Sequence, residues 1–127
     1  MFALPSLKNA VLAAAVCAAL FVMAPALPAA PSYTYDMTPY ETMAKESLKM
    51  VAAGNMKGAL EKAHALEAKW DAEAADLQKA DPALWSMIDG QMDATIAALS
   101  TTDAKKSTAE LNSYLELVAR VPKPQKK

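Results

Sequence analysis

The sequence predicts an all-α protein, and three observations support this fold class. Beyond residue 30 the chain is rich in Ala, Leu, Met, Lys and Glu, which favour helix, and Gly54, Gly58 and Gly90 are its only glycines. Apolar residues recur there at spacings of three and four. Cap-type residues and prolines divide the region into four segments of helical length. We therefore expect an up-down-up-down four-helix bundle, with a three-helix core and a loosely docked first helix as the alternative.

The start of the chain is typical of a secretory signal peptide. Lys8 precedes an almost wholly apolar run over residues 9–24, and small residues and prolines follow it. This order predicts a signal peptide of residues 1–26, although cleavage after Ala29 also fits the small-residue spacing. An uncleaved membrane anchor is the competing interpretation, because the apolar run approaches the roughly 20 residues that span a bilayer.

Residues 27–38 are the predicted flexible lead-in, and the first helix follows it. Thr38 is expected to cap this helix, with Pro39 as its first residue and Glu41 completing a capping box. The helix should run from about Pro39 to Ala53.

The next two helix boundaries carry clear signals. Gly54 is expected to end the first helix and Asn55 to cap the second, which should continue to about Lys79. Asp81 is then the expected cap of a third helix that begins at Pro82.

The third helix should last to about Leu99, where "STTD" interrupts the helical pattern. The fourth is predicted from about Asp103 to Val121, ending before Pro122. The helical bundle domain therefore covers residues 39–121, and residues 122–127 are a predicted disordered basic tail.

Both tryptophans are predicted to be core residues. If the turn near Asp81 is taken as a mirror point, residues equally distant from it lie at one level. We therefore expect Met92 to meet Trp70, and Leu77 to meet Trp85.

Two tryptophan-acid segments carry a resemblance to known proteins. "LEAKWD" covers residues 66–71, and "LWSMIDGQMD" covers residues 84–93. In these LE-x-x-WD and W-x-x-ID segments the chain resembles a recurring type of small exported bacterial protein with no established activity. The likeness covers about Gly54 to Val118. It implies an exported helical domain and no catalytic or binding residue.

Charge and cysteine content exclude several kinds of function. Beyond Ala30 the chain has twelve Lys and Arg against fourteen Asp and Glu, so it is nearly neutral, and together with the export signal this disfavours nucleic-acid binding. Cys17 is the only cysteine and lies within the predicted signal peptide. The mature chain would then lack any thiol for a disulfide, a metal site or a nucleophile.

His64 is the only histidine and the first candidate for chemistry. Glu61 and Glu67 lie three residues away on either side, which would allow a weak metal site or a pH-sensitive imidazole. A metal-binding helix usually offers a second histidine four residues on, and none is present. We therefore expect His64 to lie at the border of the polar face, with no metal bound.

Methionines form the second candidate group. Met43, Met50 and Met87 lie off the main apolar stripes and are predicted to be partner contacts. Thioethers also bind copper(I), so copper handling through these methionines and His64 is the alternative. Haem ligation by a His and Met pair would need His64 to point inward.

No sequence motif indicates an enzyme. Asp89 and Asp93 stand one turn apart, but they are expected on a solvated face. A nucleophile elbow, a phosphate-binding loop and a calcium-binding loop are all missing from the sequence. We predict an exported, periplasmic or secreted, helical protein that acts by contact as a binding, adaptor or chaperone-like module. Its expected partner is a protein, with no cofactor, no nucleic acid, and membrane contact only through an uncleaved signal segment.

Overall fold

The computed structural model describes residues 33–126, which form five α-helices and no β-strand. The predicted all-α fold class is thus confirmed for this part of the chain, and the predicted signal peptide lies outside it. The helices are α1 (Thr38–Ala52), α2 (Met56–Glu73), α3 (Ala75–Ala80), α4 (Pro82–Ser100) and α5 (Ala104–Val118).

Helix α1 starts one residue before the predicted position, and its predicted capping box is wrong. Thr38 is the first helical residue, with its backbone N–H donating to the Asp36 carboxylate at 2.9 Å. The Glu41 carboxylate points away to Lys123 at 2.9 Å and to Lys45 at 3.8 Å. The Glu41 carboxylate therefore forms a long-range ion pair and not the capping hydrogen bond that the local sequence predicts.

The turn between α1 and α2 follows the prediction. Gly54 has φ of 78°, which glycine adopts at little cost. The N–H groups of Gly54 and Asn55 donate to the carbonyls of Val51 and Met50, which is the Schellman arrangement. The Asn55 side chain then accepts from the Gly58 N–H and caps α2.

The predicted second helix is broken at Ala74 into α2 and α3. Residues 59–81 contain no Gly or Pro, so the local sequence gives no sign of the break. Beside the break, the Glu73 carbonyl accepts a hydrogen bond from the Tyr35 hydroxyl at 2.9 Å. A side chain distant in sequence thus satisfies a carbonyl at the end of α2.

The remaining helix starts agree with the prediction. Asp81 accepts from the Leu84 N–H and caps α4, and Asp103 accepts from the Lys106 N–H and caps α5. Helix α5 ends at Val118, three residues before the predicted end. The chain then turns, and Val121 is buried in the core although it lies outside the helix.

The helices pack around one core. Helix α1 lies against α2 and α5, whereas α4 lies against α5, α2 and α3. The core contains residues from every helix; its largest fully buried side chains are Trp70, Tyr40, Tyr114, Met37, Leu77, Ile88, Met92, Leu99 and Leu111.

The two tryptophans stack on each other, a contact that the sequence did not predict. Trp70 is 1% exposed and stacks on Trp85, with ring centroids 6.0 Å apart and an interplanar angle of 17°. Trp85 is only partly buried, so it lies at the edge of the core.

Candidate functional site

The most distinctive surface feature of the structure is a non-helical segment of five residues, 33–37, which we call the strap. Its side chains alternate between two environments. Tyr33, Tyr35 and Met37 pack against the core, while Thr34 and Asp36 are exposed to solvent. A repeat of two is typical of an extended chain with one face on a surface. The expected flexible lead-in is thus, over these residues, a segment packed onto the helices.

Hydrogen bonds hold the strap to three separate parts of the chain. The Tyr33 hydroxyl donates to the Asp81 carboxylate at 2.9 Å, beside the start of α4. The Tyr35 hydroxyl donates to the Glu73 carbonyl, and its backbone N–H donates to the Pro122 carbonyl at 2.9 Å. The strap therefore joins the α2–α3 break, the α4 N-terminus and the C-terminal segment.

The groove beneath the strap is acceptor-rich. We use the term strap groove for the Glu73 and Pro122 carbonyls, the Asp81 carboxylate and the core surface that Tyr33 and Tyr35 cover. These three groups are all acceptors, and Tyr33 and Tyr35 supply each donor. A segment that occupies this groove must therefore bring hydroxyl or N–H donors of its own.

An aromatic cluster lies next to the strap. The Tyr40 ring meets the Trp70 ring edge to face, with centroids 5.7 Å apart, and Trp70 stacks on Trp85. The Trp70 Nε1–H donates to the Asp89 carboxylate at 3.0 Å. Asp89, which the sequence places on a solvated face, thus satisfies the single polar group of a buried indole.

Burial changes the acidity of groups around the strap. Burial, aided by the hydrogen bond to Asp81, raises the pKa of Tyr33 to about 12. The Leu84 N–H and, after it, the Tyr33 hydroxyl lower the pKa of the Asp81 carboxyl. At neutral pH, therefore, Tyr33 is a neutral donor and Asp81 a charged acceptor.

Helix α4 has an uncharged face around Met87, formed with positions 83, 84, 90, 91 and 94. Asp89 and Asp93 are its only charged residues, and it has no Lys or Arg. Met87 is 49% exposed and is the only large hydrophobic residue among residues 33–126 with such exposure. Leu84, which is half-buried, lies three residues before Met87 on the same side of the helix.

The other two predicted contact methionines are less accessible. Met43 and Met50 lie on α1, are partly buried, and pack against the core. Met87 lies on a different helix, α4, and is the more exposed of the three.

The predicted alternative metal ligands do not come together. His64 is 55% exposed in its side chain, and its Nδ1 lies 3.4 Å from the Glu67 carboxylate. Glu61 instead pairs with Lys57 at 3.9 Å. Over residues 33–126, no three His, Cys, Asp or Glu side chains cluster closely enough to hold a metal ion. His64 points to solvent, so the inward ring that haem ligation requires is not present.

A small cavity of about 10 Å³ lies in the centre of the core. Met43 and Met92 line it from α1 and α4, together with Tyr114 from α5. A cavity of this size is at the lower limit for a single water molecule. It cannot accommodate a haem group or an organic ligand.

The strap was not predicted, although the sequence contains a signal for it. In "YTYDM" the large residues occupy every second position, which indicates an extended segment with one buried face. Without the helices there was no surface against which to place that face.

Comparisons with known proteins found no relative for this chain. No family model, no curated protein and no solved structure matches it. Within the described residues, none of the helices is long and apolar enough to cross a membrane.

Proposed function

We propose that this protein is an exported, periplasmic or secreted, helical module that acts by contact with a protein partner, as a binding, adaptor or chaperone-like protein, and not by catalysis. The outer face of α4 is the observation that carries the proposal. There Met87 is half exposed beside Leu84, on a helix without any basic residue. An apolar side chain exposed on an uncharged helix face is suited to bury against another protein.

Site-specific photo-crosslinking tests this contact function. A photoreactive residue at position 87 should form a covalent adduct in cells that express the protein at its native level. The same residue at Ala68, an exposed position on α2, is the matched control and should not. Absence of an adduct at position 87, or equal adducts at both positions, would contradict the proposal.

For the architecture we propose the up-down-up-down four-helix bundle, in which α2 and α3 together form one bent second segment. The packing of α1 on α2 and α5, and of α4 on α5, α2 and α3, supports this arrangement. The alternative with a loosely docked first helix predicts fast hydrogen exchange in α1. The bundle predicts that buried amides of α1 exchange as slowly as those of α5.

Export is part of the proposal and has its own test. The basic start, the apolar run and the small-residue end of residues 1–29 support it. The intact mass of the protein from the periplasm or medium should correspond to a start between residues 27 and 30. A mass that includes residues 1–26 would instead support a retained anchor.

Metal or haem handling through the methionines and His64 is the competing hypothesis. Met43 and Met92 line one cavity, which places two thioethers near the same point of the core. Protein purified from its native compartment should contain less than stoichiometric copper, zinc and haem if contact is the main function. A stoichiometric metal that is lost in His64→Ala or Met43→Leu would overturn the contact proposal.

A further inference from the structure

The strap occupies its groove as a ligand would. Its two tyrosines, two residues apart, place both rings against the core and donate from both hydroxyls to acceptors of the domain. A third hydrogen bond runs from the backbone N–H of Tyr35 to the Pro122 carbonyl in the C-terminal segment. The contacts therefore specify an extended backbone, phenol side chains at alternate positions and an N–H donor.

The strap can leave this groove without unfolding a helix. Residues 33–35 belong to no helix, and three hydrogen bonds of the tyrosines tie them to other parts of the domain. If the mature chain starts between residues 27 and 30, as proposed, they lie close to a free end. Terminal segments of this kind open at a small fraction of the global unfolding free energy.

Release of the strap would remove three hydrogen-bond donors beside an apolar surface. The carbonyls of Glu73 and Pro122 would lose the donors that the strap supplies, and the Asp81 carboxylate would keep only the Leu84 N–H. Water can replace these hydrogen bonds, but it cannot replace the two aromatic rings. The open groove therefore favours a polypeptide with the same donor and ring pattern over solvent.

We propose that the strap groove is a docking site for an extended tyrosine-x-tyrosine segment of a partner protein, and that the protein's own strap is an autoinhibitory occupant that such a segment displaces. This inference rests on the proposed contact function and names the chemistry of the partner. It places docking at the end of the domain where α2 breaks and α4 begins, next to the uncharged face of α4.

A peptide with the sequence of residues 31–37, blocked at both ends, tests the proposal against the full mature protein. Trp70 and Trp85 adjoin the groove region and give a fluorescence signal, and calorimetry gives an independent affinity. The attached strap competes at an effective concentration in the millimolar range, so the wild-type protein should bind the peptide weakly. The variant Tyr33→Ser/Tyr35→Ser should bind it about tenfold or more tightly, because its strap has lost both rings and both hydroxyl donors.

Two controls make the result specific. A peptide with both tyrosines replaced by serine should not bind either protein. The variant Tyr33→Phe/Tyr35→Phe keeps the rings and removes only the hydroxyl donors, so its affinity for the tyrosine peptide should fall between those of the other two proteins. This second variant also covers the case in which the serine variant fails to fold, which circular dichroism would reveal.

Several outcomes would overturn the proposal. They are equal affinity of all three folded proteins for the peptide, binding that does not depend on the peptide's tyrosines, and no binding to a folded strap variant. A dimer that forms when wild-type and variant proteins are mixed, detected by light scattering, would show that the groove takes the strap of a second copy and not a partner. If the peptide fails while the crosslink at position 87 forms, only this inference is lost and the contact function stands.

Discussion

Replacing Tyr114 with phenylalanine should stabilise the protein, although Tyr114 is a fully buried core residue. Its side chain is 1% exposed, and within residues 33–126 its hydroxyl has no hydrogen-bond partner. Burial accordingly raises the pKa of the phenol, since nothing close by stabilises its charged form. The hydroxyl therefore loses its hydrogen bonds to water on folding without gaining one from the protein.

The size of the effect follows from that loss. An unsatisfied buried polar group costs about 1–3 kcal/mol, and Tyr114→Phe removes the group while keeping the ring. The cavity that Tyr114 lines measures only about 10 Å³, so the space left by the removed hydroxyl does not add up to a large void. We expect the free energy of unfolding to rise by about 1 kcal/mol, which raises Tm by about 4–8 °C in a domain of this size.

Urea denaturation followed by circular dichroism measures this change, and two serines provide the controls. Ser107 is also buried without a partner in the described chain, so Ser107→Ala should stabilise as well. Ser47 is equally buried, but its hydroxyl donates to the Ala59 carbonyl at 2.9 Å, so Ser47→Ala should destabilise by about 0.5–1.5 kcal/mol. A loss of stability of 1 kcal/mol or more in Tyr114→Phe would refute the reasoning, since it would mean that the hydroxyl has a favourable partner.

Three further predictions test local features. Gly90→Ala should raise the free energy of unfolding by about 0.5–1 kcal/mol, because Gly90 lies inside α4 and an added Cβ meets open space. Gly58→Ala, the same change inside α2, should give no such gain, because the Cβ would collide with the capping side chain of Asn55; equal denaturation midpoints for the two variants would contradict this. Thr102 has φ of 58°, which costs a β-branched residue about 1–2 kcal/mol. Thr102→Gly should therefore raise the thermal midpoint. A lower midpoint would show that the Thr102 side chain contributes more stability than its backbone conformation costs. Because the pKa of Tyr33 is raised to about 12, the contribution of this residue to stability is complete below about pH 10 and is lost as pH rises through about 12. The strap should therefore detach in that interval. Tryptophan fluorescence should show a transition there that is missing in Tyr33→Phe.

The helix caps show where sequence reasoning was sufficient. Gly54, Asn55 and Asp81 act at the positions where the sequence placed them. Each of these residues interacts with backbone groups at most five residues away, and short-range geometry depends only on neighbouring residue types. The all-α fold class follows in the same way, from helix propensity and apolar periodicity.

The errors have a common cause in contacts between distant residues. The capping box of α1 is absent because Glu41 pairs with Lys123, which lies in the predicted disordered tail. The break at Ala74 lies where the Tyr35 hydroxyl reaches the Glu73 carbonyl, and the unpredicted stacking of Trp85 on Trp70 joins α4 to α2. None of these partners could be identified before the helices were placed in space.

The candidate site likewise combines features that the sequence shows with features that depend on contacts between distant residues. The amino-acid sequence alone determined which residues were apolar, that Met87 lies off the main stripe of its helix, and that Tyr33, Tyr35 and Met37 alternate along the chain. Only the tertiary structure decided that Met87 is exposed while Met43 and Met50 are partly covered, and that the strap packs over the end of α2. Exposure and long-range hydrogen bonding depend on which helix faces meet, and that is a property of the whole packed domain and not of any one segment.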